Sequence, residues 1–223
     1  MGQNYVITTV ITPPVSTDLT SLINVKGDLV LNGATPQDDI YLKRLIKQAS
    51  GAIVQFCNRQ FAQATYQDLV RPQHMNRPAF IPNRKGYYIP ARTPLTAVTS
   101  VTEDGTLLVV GTDYEVDLDS NAIYRLDENG YQTDWHGKPL IIVYTAGFTL
   151  PPVDNCTLPA DVEDACLRMI KARWISRDRD PFLKSEDIAG IGREEYGMGA
   201  QGNGNITPDI EDLLENYRDI VLA

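Results

Sequence analysis

Two long stretches of this chain carry apolar residues at three- and four-residue steps, the spacing of one helical face. Between them the pattern shortens to alternating runs broken by turn residues. In the first stretch Leu42, Leu45, Ile46, Ala49, Ile53, Phe56 and Cys57 share a face. Thr35-Pro36-Gln37-Asp38 stands ahead of it with an N-cap, a first-turn proline and an acid at the third position, so a helix is predicted over 36–57. In the second stretch Val162, Ala165, Cys166, Met169, Ile170 and Trp174 form the stripe. Pro159 suits a first helical position, Asp161, Glu163 and Asp164 complement the positive end of the dipole, and Arg168, Lys171 and Arg173 gather toward the negative end. These signals predict a helix over 159–176. A third stripe, Ile210, Leu213, Leu214, Tyr217, Ile220 and Val221, follows Thr207-Pro208-Asp209. Isolated helices shorter than about 12–15 residues rarely persist in water, so this terminal helix must dock on something.

The middle of the chain has a different texture. Pro72, Pro78, Pro82, Pro90 and Pro94 each remove a ladder donor, so edge strands and loops are expected over 66–94. From Ala97 onward short β-branched runs (98–102, 107–110, 114–117, 122–126, 140–145) alternate with turns, and Asp104-Gly105 is a hairpin signal. Near the start, Val6 to Thr12 is β-branched, Pro13-Pro14 follows, and a short helix is expected after Ser16 or Thr17. The organisation read from these patterns is α+β: an N-terminal extension at 1–34, a helical core from 35–65 and 150–184, an inserted small antiparallel β module at 66–149, and an arm at 185–223. Gly190, Gly192, Gly197, Gly199, Gly202 and Gly204 make that arm a flexible link to its terminal helix.

A hydrophobic fraction of 43% over 223 residues is enough for a full core. No apolar run approaches the roughly 20 residues a bilayer needs, so no membrane partner is expected. The formal charge of −9 argues against broad adhesion to a nucleic-acid backbone. Cys57 and Cys166 fall on helix faces, where free cysteine acts as a small apolar residue.

Candidate chemistry is sparse. Gly197-Met198-Gly199-Ala200-Gln201-Gly202 spells a dinucleotide fingerprint but lacks the strand and helix that give it meaning. Asp117, Asp119, Asn121 and Glu128 imitate a calcium loop, yet Ala122 occupies the position that needs glycine. His74 and His136 have no Cys or His at zinc spacing, and the signatures of nucleotide hydrolases, serine hydrolases and zinc proteases are missing. No catalytic site, cofactor or metal is expected, which moves weight toward assembly. The charged corner Arg177-Asp178-Arg179-Asp180 then has two readings. It is solvated helix-end charge, or it is a contact in which one subunit's guanidinium groups meet a neighbour's carboxylates.

Several segments in order, 39–61, 94–117, 122–126, 143–148, 158–181 and 185–197, resemble the head–tail connector (adaptor) proteins of tailed bacteriophages. The resemblance implies a virion component at the head–tail interface, assembled in the bacterial host cytoplasm as a ring, a dodecamer on the portal. The ring would extend the DNA channel without sequence-specific binding and give the next neck or tail protein its platform. It implies portal docking through Ile210, Leu213, Leu214, Tyr217, Ile220 and Val221, subunit contacts through Arg177, Asp178, Arg179 and Asp180, and a channel wall of carboxylates. A stopper or tail-completion protein would share this assembly logic. A carbohydrate- or receptor-binding β module would instead display Tyr87, Tyr88, Tyr114, Tyr131 and Trp135 as an exposed platform, and a hydrolase would use the loop carboxylates.

Overall fold

The computed structural model describes residues 5–31, 35–71, 86–135, 138–177, 185–188, 192–195 and 206–219. In chain order the elements are β1 (Tyr5–Thr12), α1 (Leu22–Asp28), α2 (Pro36–Cys57), β2 (Ala64–Arg71), β3 (Tyr87–Tyr88), β4 (Leu95–Glu103), β5 (Thr106–Leu107), β6 (Tyr114–Asp117), β7 (Ala122–Leu126), β8 (Gln132–Thr133), β9 (Leu140–Ala146), α3 (Ala160–Ile175), β10 (Ser185–Ile188), β11 (Gly192–Glu195) and α4 (Pro208–Leu214). A 3₁₀ turn, Glu215–Tyr217, closes the last helix. The chain is a mixed fold of helices and antiparallel sheets, divided into two compact units, one from residues 1–15 with 62–148 and the other from 16–61 with 149–223.

In the first unit five antiparallel strands run in the order β1-β2-β9-β4-β5, and a second sheet has the order β3-β7-β6 with β8 beside β7. The prolines of the middle region do not push β2 to an edge, because they begin only after Arg71; β2 lies between β1 and β9. Residues 5–12 are likewise more than an extension, since Tyr5 pairs with Arg71 and Val10 with Tyr66 along β1. Strand β9 alternates strictly, burying Leu140, Ile142, Tyr144 and Ala146, as a sheet with one face on the core requires. Asp104 and Gly105 both take positive φ (51° and 80°), the geometry of a type I′ hairpin turn, and join β4 to β5. The two sheets are tied by Arg125 of β7, whose Nε lies 3.3 Å from Glu103 Oε2 of β4.

In the second unit α2 begins with a reciprocal cap. Thr35 Oγ1 accepts from the Asp38 amide at 3.2 Å, and the Asp38 carboxylate accepts from the Thr35 amide at 3.0 Å. A cap of this kind contributes about 1 kcal/mol. The helix ends where Asn58 enters the left-handed region at φ 51°, a position asparagine tolerates well. The buried faces of α2 (Leu42, Leu45, Ile46, Ala49, Ile53, Cys57) and α3 (Val162, Ala165, Cys166, Met169, Ile170) supply most of this unit's core. The short helix expected after Ser16 starts later, at Leu22, because Ser21 is the residue whose side chain accepts from the Asn24 amide. Its lead-in is held by Ser50 Oγ, which accepts from the Leu19 amide at 2.9 Å, and by Glu163, which accepts from Thr20 Oγ1 at 2.8 Å and Asn24 Nδ2 at 2.7 Å. The arm read as a loose link contains a two-stranded antiparallel ladder, β10 with β11. No helix among the described residues is long and apolar enough to cross a membrane.

Candidate functional site

The charged exit of α3 is engaged within its own chain. Arg177 Nη1 donates to Asp38 Oδ1 at 3.0 Å, and its guanidinium lies 3.9 Å from the centre of the Trp174 ring, which itself meets Tyr41 at 5.9 Å. Hydrogen bonds from the Thr35 side chain and amide, and then Arg177, hold the Asp38 carboxyl below its usual range. That contribution is present above the ordinary carboxylate pKa and is lost as pH falls through the lowered one. The corner thus closes the end of α3 onto the start of α2. Asp178, Arg179 and Asp180, the rest of the predicted subunit contact, lie outside the described residues.

The terminal helix is shorter than its stripe predicts. It runs to Leu214, the 3₁₀ turn carries it to Tyr217, and α4 packs against α3. Ile210 and Leu214 are buried, Leu214 completely, while Leu213 and Tyr217 are half-buried. The Tyr217 ring meets Phe61 at 6.5 Å, its hydroxyl donates to Asp161 at 3.3 Å, and the Asp219 amide donates to the Cys57 carbonyl at 2.8 Å. Two of the six residues predicted to dock on a portal therefore belong to the chain's own core. Ile220 and Val221 lie outside the described residues, as do His74, His136 and the glycines of 197–202.

The aromatic residues of the β-rich unit do not form an exposed platform. Tyr88, Tyr114 and Trp135 are core, Tyr87 is half-buried against Tyr124, and Tyr131 stands out at 72% exposure. A sugar-binding surface built from this set is therefore not present. Two of the side chains that imitate a calcium loop are hydrogen-bond acceptors instead: the Asp117 carboxylate takes the amides of Asp119 and Ser120 together with the Ser120 hydroxyl within its turn, and the Asn121 carboxamide oxygen takes the distant Leu95 amide at 2.6 Å.

One residue not singled out from sequence organises this unit. Asp68 of β2 is 0% exposed and accepts from Thr8 Oγ1 at 2.6 Å, Tyr88 Oη at 2.9 Å and the Ala91 amide at 2.9 Å. Burial, and then the nearby Asp68 charge, push the phenols of Tyr88 and Tyr144 far above the usual tyrosine range, so both stay protonated; Tyr88 donates to Asp68, and the Tyr144 hydroxyl accepts the Arg92 amide at 3.1 Å. A charged residue at an inward strand position runs against the binary pattern, and only its partners explain it.

The two thiols on the helix faces are poor nucleophiles. Cys57 and Cys166 are buried, and burial pushes them up to about 11 and about 12, so the reactive thiolate is scarce near neutral pH. Cys156 is exposed. Titration of the native protein with a chromogenic disulfide reagent should find one fast thiol per chain, rising to three in denaturant. A second fast thiol would show that one of the buried pair is accessible.

The outward side of α2 has its own character. From Ile40 to Phe61 the charged residues are Lys43, Arg44, Lys47 and Arg59, with no acid among them. Lys43, Arg44 and Lys47 are exposed beside Ile40 and have no carboxylate partner among the described residues. That one-signed run was readable in the sequence, although its outward placement was not.

No family model matches the chain, and no curated protein matches it in sequence. Solved structures do match it in shape. A chain in the neck of an empty gene transfer agent particle, computed with C6 symmetry, aligns with TM-score 0.52 at 15% identity over 97% of both chains. A chain in the neck of the native particle, computed with C12 symmetry, aligns with TM-score 0.50 at 15% identity over 97% of both. A chain of the native virion aligns with TM-score 0.50 at 14% identity over the same share. Over nearly its whole length, then, this chain has the fold of a chain found in the neck of gene transfer agent particles.

Proposed function

We propose that this chain is a structural, non-catalytic subunit of the neck of a tailed phage-like particle, an adaptor that closes into a ring beneath the portal. The ring continues the DNA channel and carries the attachment surface for the next neck or tail protein. The observation behind this reading is the match to a neck chain over 97% of both chains, which includes both compact units and not a shared fragment alone. Those neck structures were computed with C6 and C12 symmetry, and a dodecamer on the portal is the corresponding assembly here. We read α2 and α3 as the helical core of one unit and the antiparallel sheets of the other as its inserted β module. The formal charge of −9 suits a wall past which DNA slides without adhering. Its place is the head–tail interface of the virion, after assembly in the host cytoplasm.

Portal docking falls to the terminal segment in a narrower form than its stripe suggests. Ile210 and Leu214 are committed to their own unit and Tyr217 is engaged there with Phe61 and Asp161, so Leu213, with Ile220 and Val221 beyond it, is left to meet the portal. The test is to mix the protein with portal rings of its own particle and image the product. A closed ring seated on one face of the portal is expected. A chain that stays monomeric and leaves the portal bare would overturn the reading.

A further inference from the structure

Five positions on the outward side of α2 belong together. Ile40 is 69% exposed, Lys43, Arg44 and Lys47 follow at helical spacing, and Gly51 lies one turn beyond Lys47. We propose that this face is where one copy of the chain receives the acidic terminal helix of the next copy. The proposal rests on the ring reading above and names the two surfaces that such a ring would join.

Charge supplies the first argument. Residues 207–217 hold Asp209, Glu211, Asp212 and Glu215 and no base. Asp209 lies 3.6 Å from Arg168 and Glu215 3.1 Å from Arg218, whereas Glu211 and Asp212 have no cation partner among the described residues. No ion pair among the described residues joins the strip on α2 to α4 within one chain, so the three cations of the strip, and Glu211 and Asp212 on α4, are left for another molecule. A head-to-tail ring requires two different, complementary surfaces on every subunit. These two are opposite in sign and sit on different helices.

Gly51 supplies the second, independent argument. Glycine inside a helix is destabilising relative to alanine, and this one has no local reason to be glycine. A Cβ built there meets nothing within 4 Å, and its φ is not positive. The chain's own packing does not ask for a bare backbone at this point; a helix arriving from outside does, since small residues permit close approach. Ile40 gives the same face an apolar anchor, and a mixture of steering charge with a buried apolar contact is how protein interfaces are built. Contact with DNA phosphates would use the three cations and leave both Ile40 and Gly51 without purpose.

The experiment measures ring assembly on portal rings as a function of chain concentration. Three charge variants are compared: Lys43→Glu with Lys47→Glu, Glu211→Lys with Asp212→Lys, and all four together. Each pair alone should raise the concentration for half-assembly about tenfold or more, and the combined variant should recover most of that loss. Gly51→Gln should raise the thermal midpoint of the isolated chain and yet weaken assembly, two opposite movements that misfolding cannot produce. Wild-type assembly by the lysine variant overturns the proposal. So does a combined variant that fails to recover, or lysine variants that form rings normally and lose only DNA retention. A wild-type chain that makes no ring overturns the ring reading and this proposal with it, whereas a normal wild-type ring with indifferent variants removes this proposal alone.

Discussion

Asp68→Ala should destabilise the β-rich unit by about 3 kcal/mol, because it leaves three neutral hydrogen-bond donors without their acceptor at roughly 1 kcal/mol or more each. The carboxylate has no exposure and holds three donors: Thr8 on β1, Tyr88 on β3, and the Ala91 amide in the loop that follows. Its removal leaves a phenol, a hydroxyl and a main-chain amide without the acceptor that each now has. Asp68→Asn should cost less, since its carbonyl oxygen still accepts, although its amide group adds donors where donors already crowd. Urea unfolding followed by tryptophan fluorescence is a suitable readout because Trp135 belongs to the same core cluster. A loss under about 1 kcal/mol for the alanine variant would mean that the donors find other acceptors. Hydrogen exchange should also quicken along β1, which Asp68 ties down through Thr8.

Gly147→Ala should cost about 3 kcal/mol, from positive-φ strain and overpacking together. Gly147 directly follows β9 at φ +110°, where L side chains are strained, and its amide donates to the Pro94 carbonyl at 2.9 Å. A Cβ there would lie 2.7 Å from the Ala62 carbonyl oxygen and 2.8 Å from the Gln63 Cα. Both are backbone atoms, so relief requires the chain itself to move. Gly105→Ala is the matched control. It shares a positive φ, +80°, but has nothing within 4 Å, so its cost should be only the backbone strain, about 1 kcal/mol. Equal thermal midpoints for the two variants would show that the close approach at Gly147 does not matter.

The local elements were the legible part of this fold. The start of α2 could be read because Thr35, Pro36 and Asp38 lie within four consecutive residues and their hydrogen bonds join neighbours. The β4–β5 hairpin could be read because Asp104 and Gly105 carry both positive-φ positions themselves. The role of β2 was obscured by the prolines beyond Arg71 and by Asp68 at an inward position. At the candidate surfaces, Arg177 stood out in sequence as a charged corner, but its partner Asp38 lies 139 residues earlier. The terminal stripe correctly announced a helix that needs a partner, but could not say that Ile210 and Leu214 would find one in their own unit.

Periodicity, caps and turn chemistry act over a few residues, and the order of residues was enough to determine them: where α2 and α3 run and where the hairpin turns. The register of β1 on β2, the donors gathered on Asp68, the seat of α4 on α3 and the open space beside Gly51 were decided by tertiary structure. Each depends on which distant segments meet, or on what a side chain faces once they have met, and neither follows from spacing along the chain.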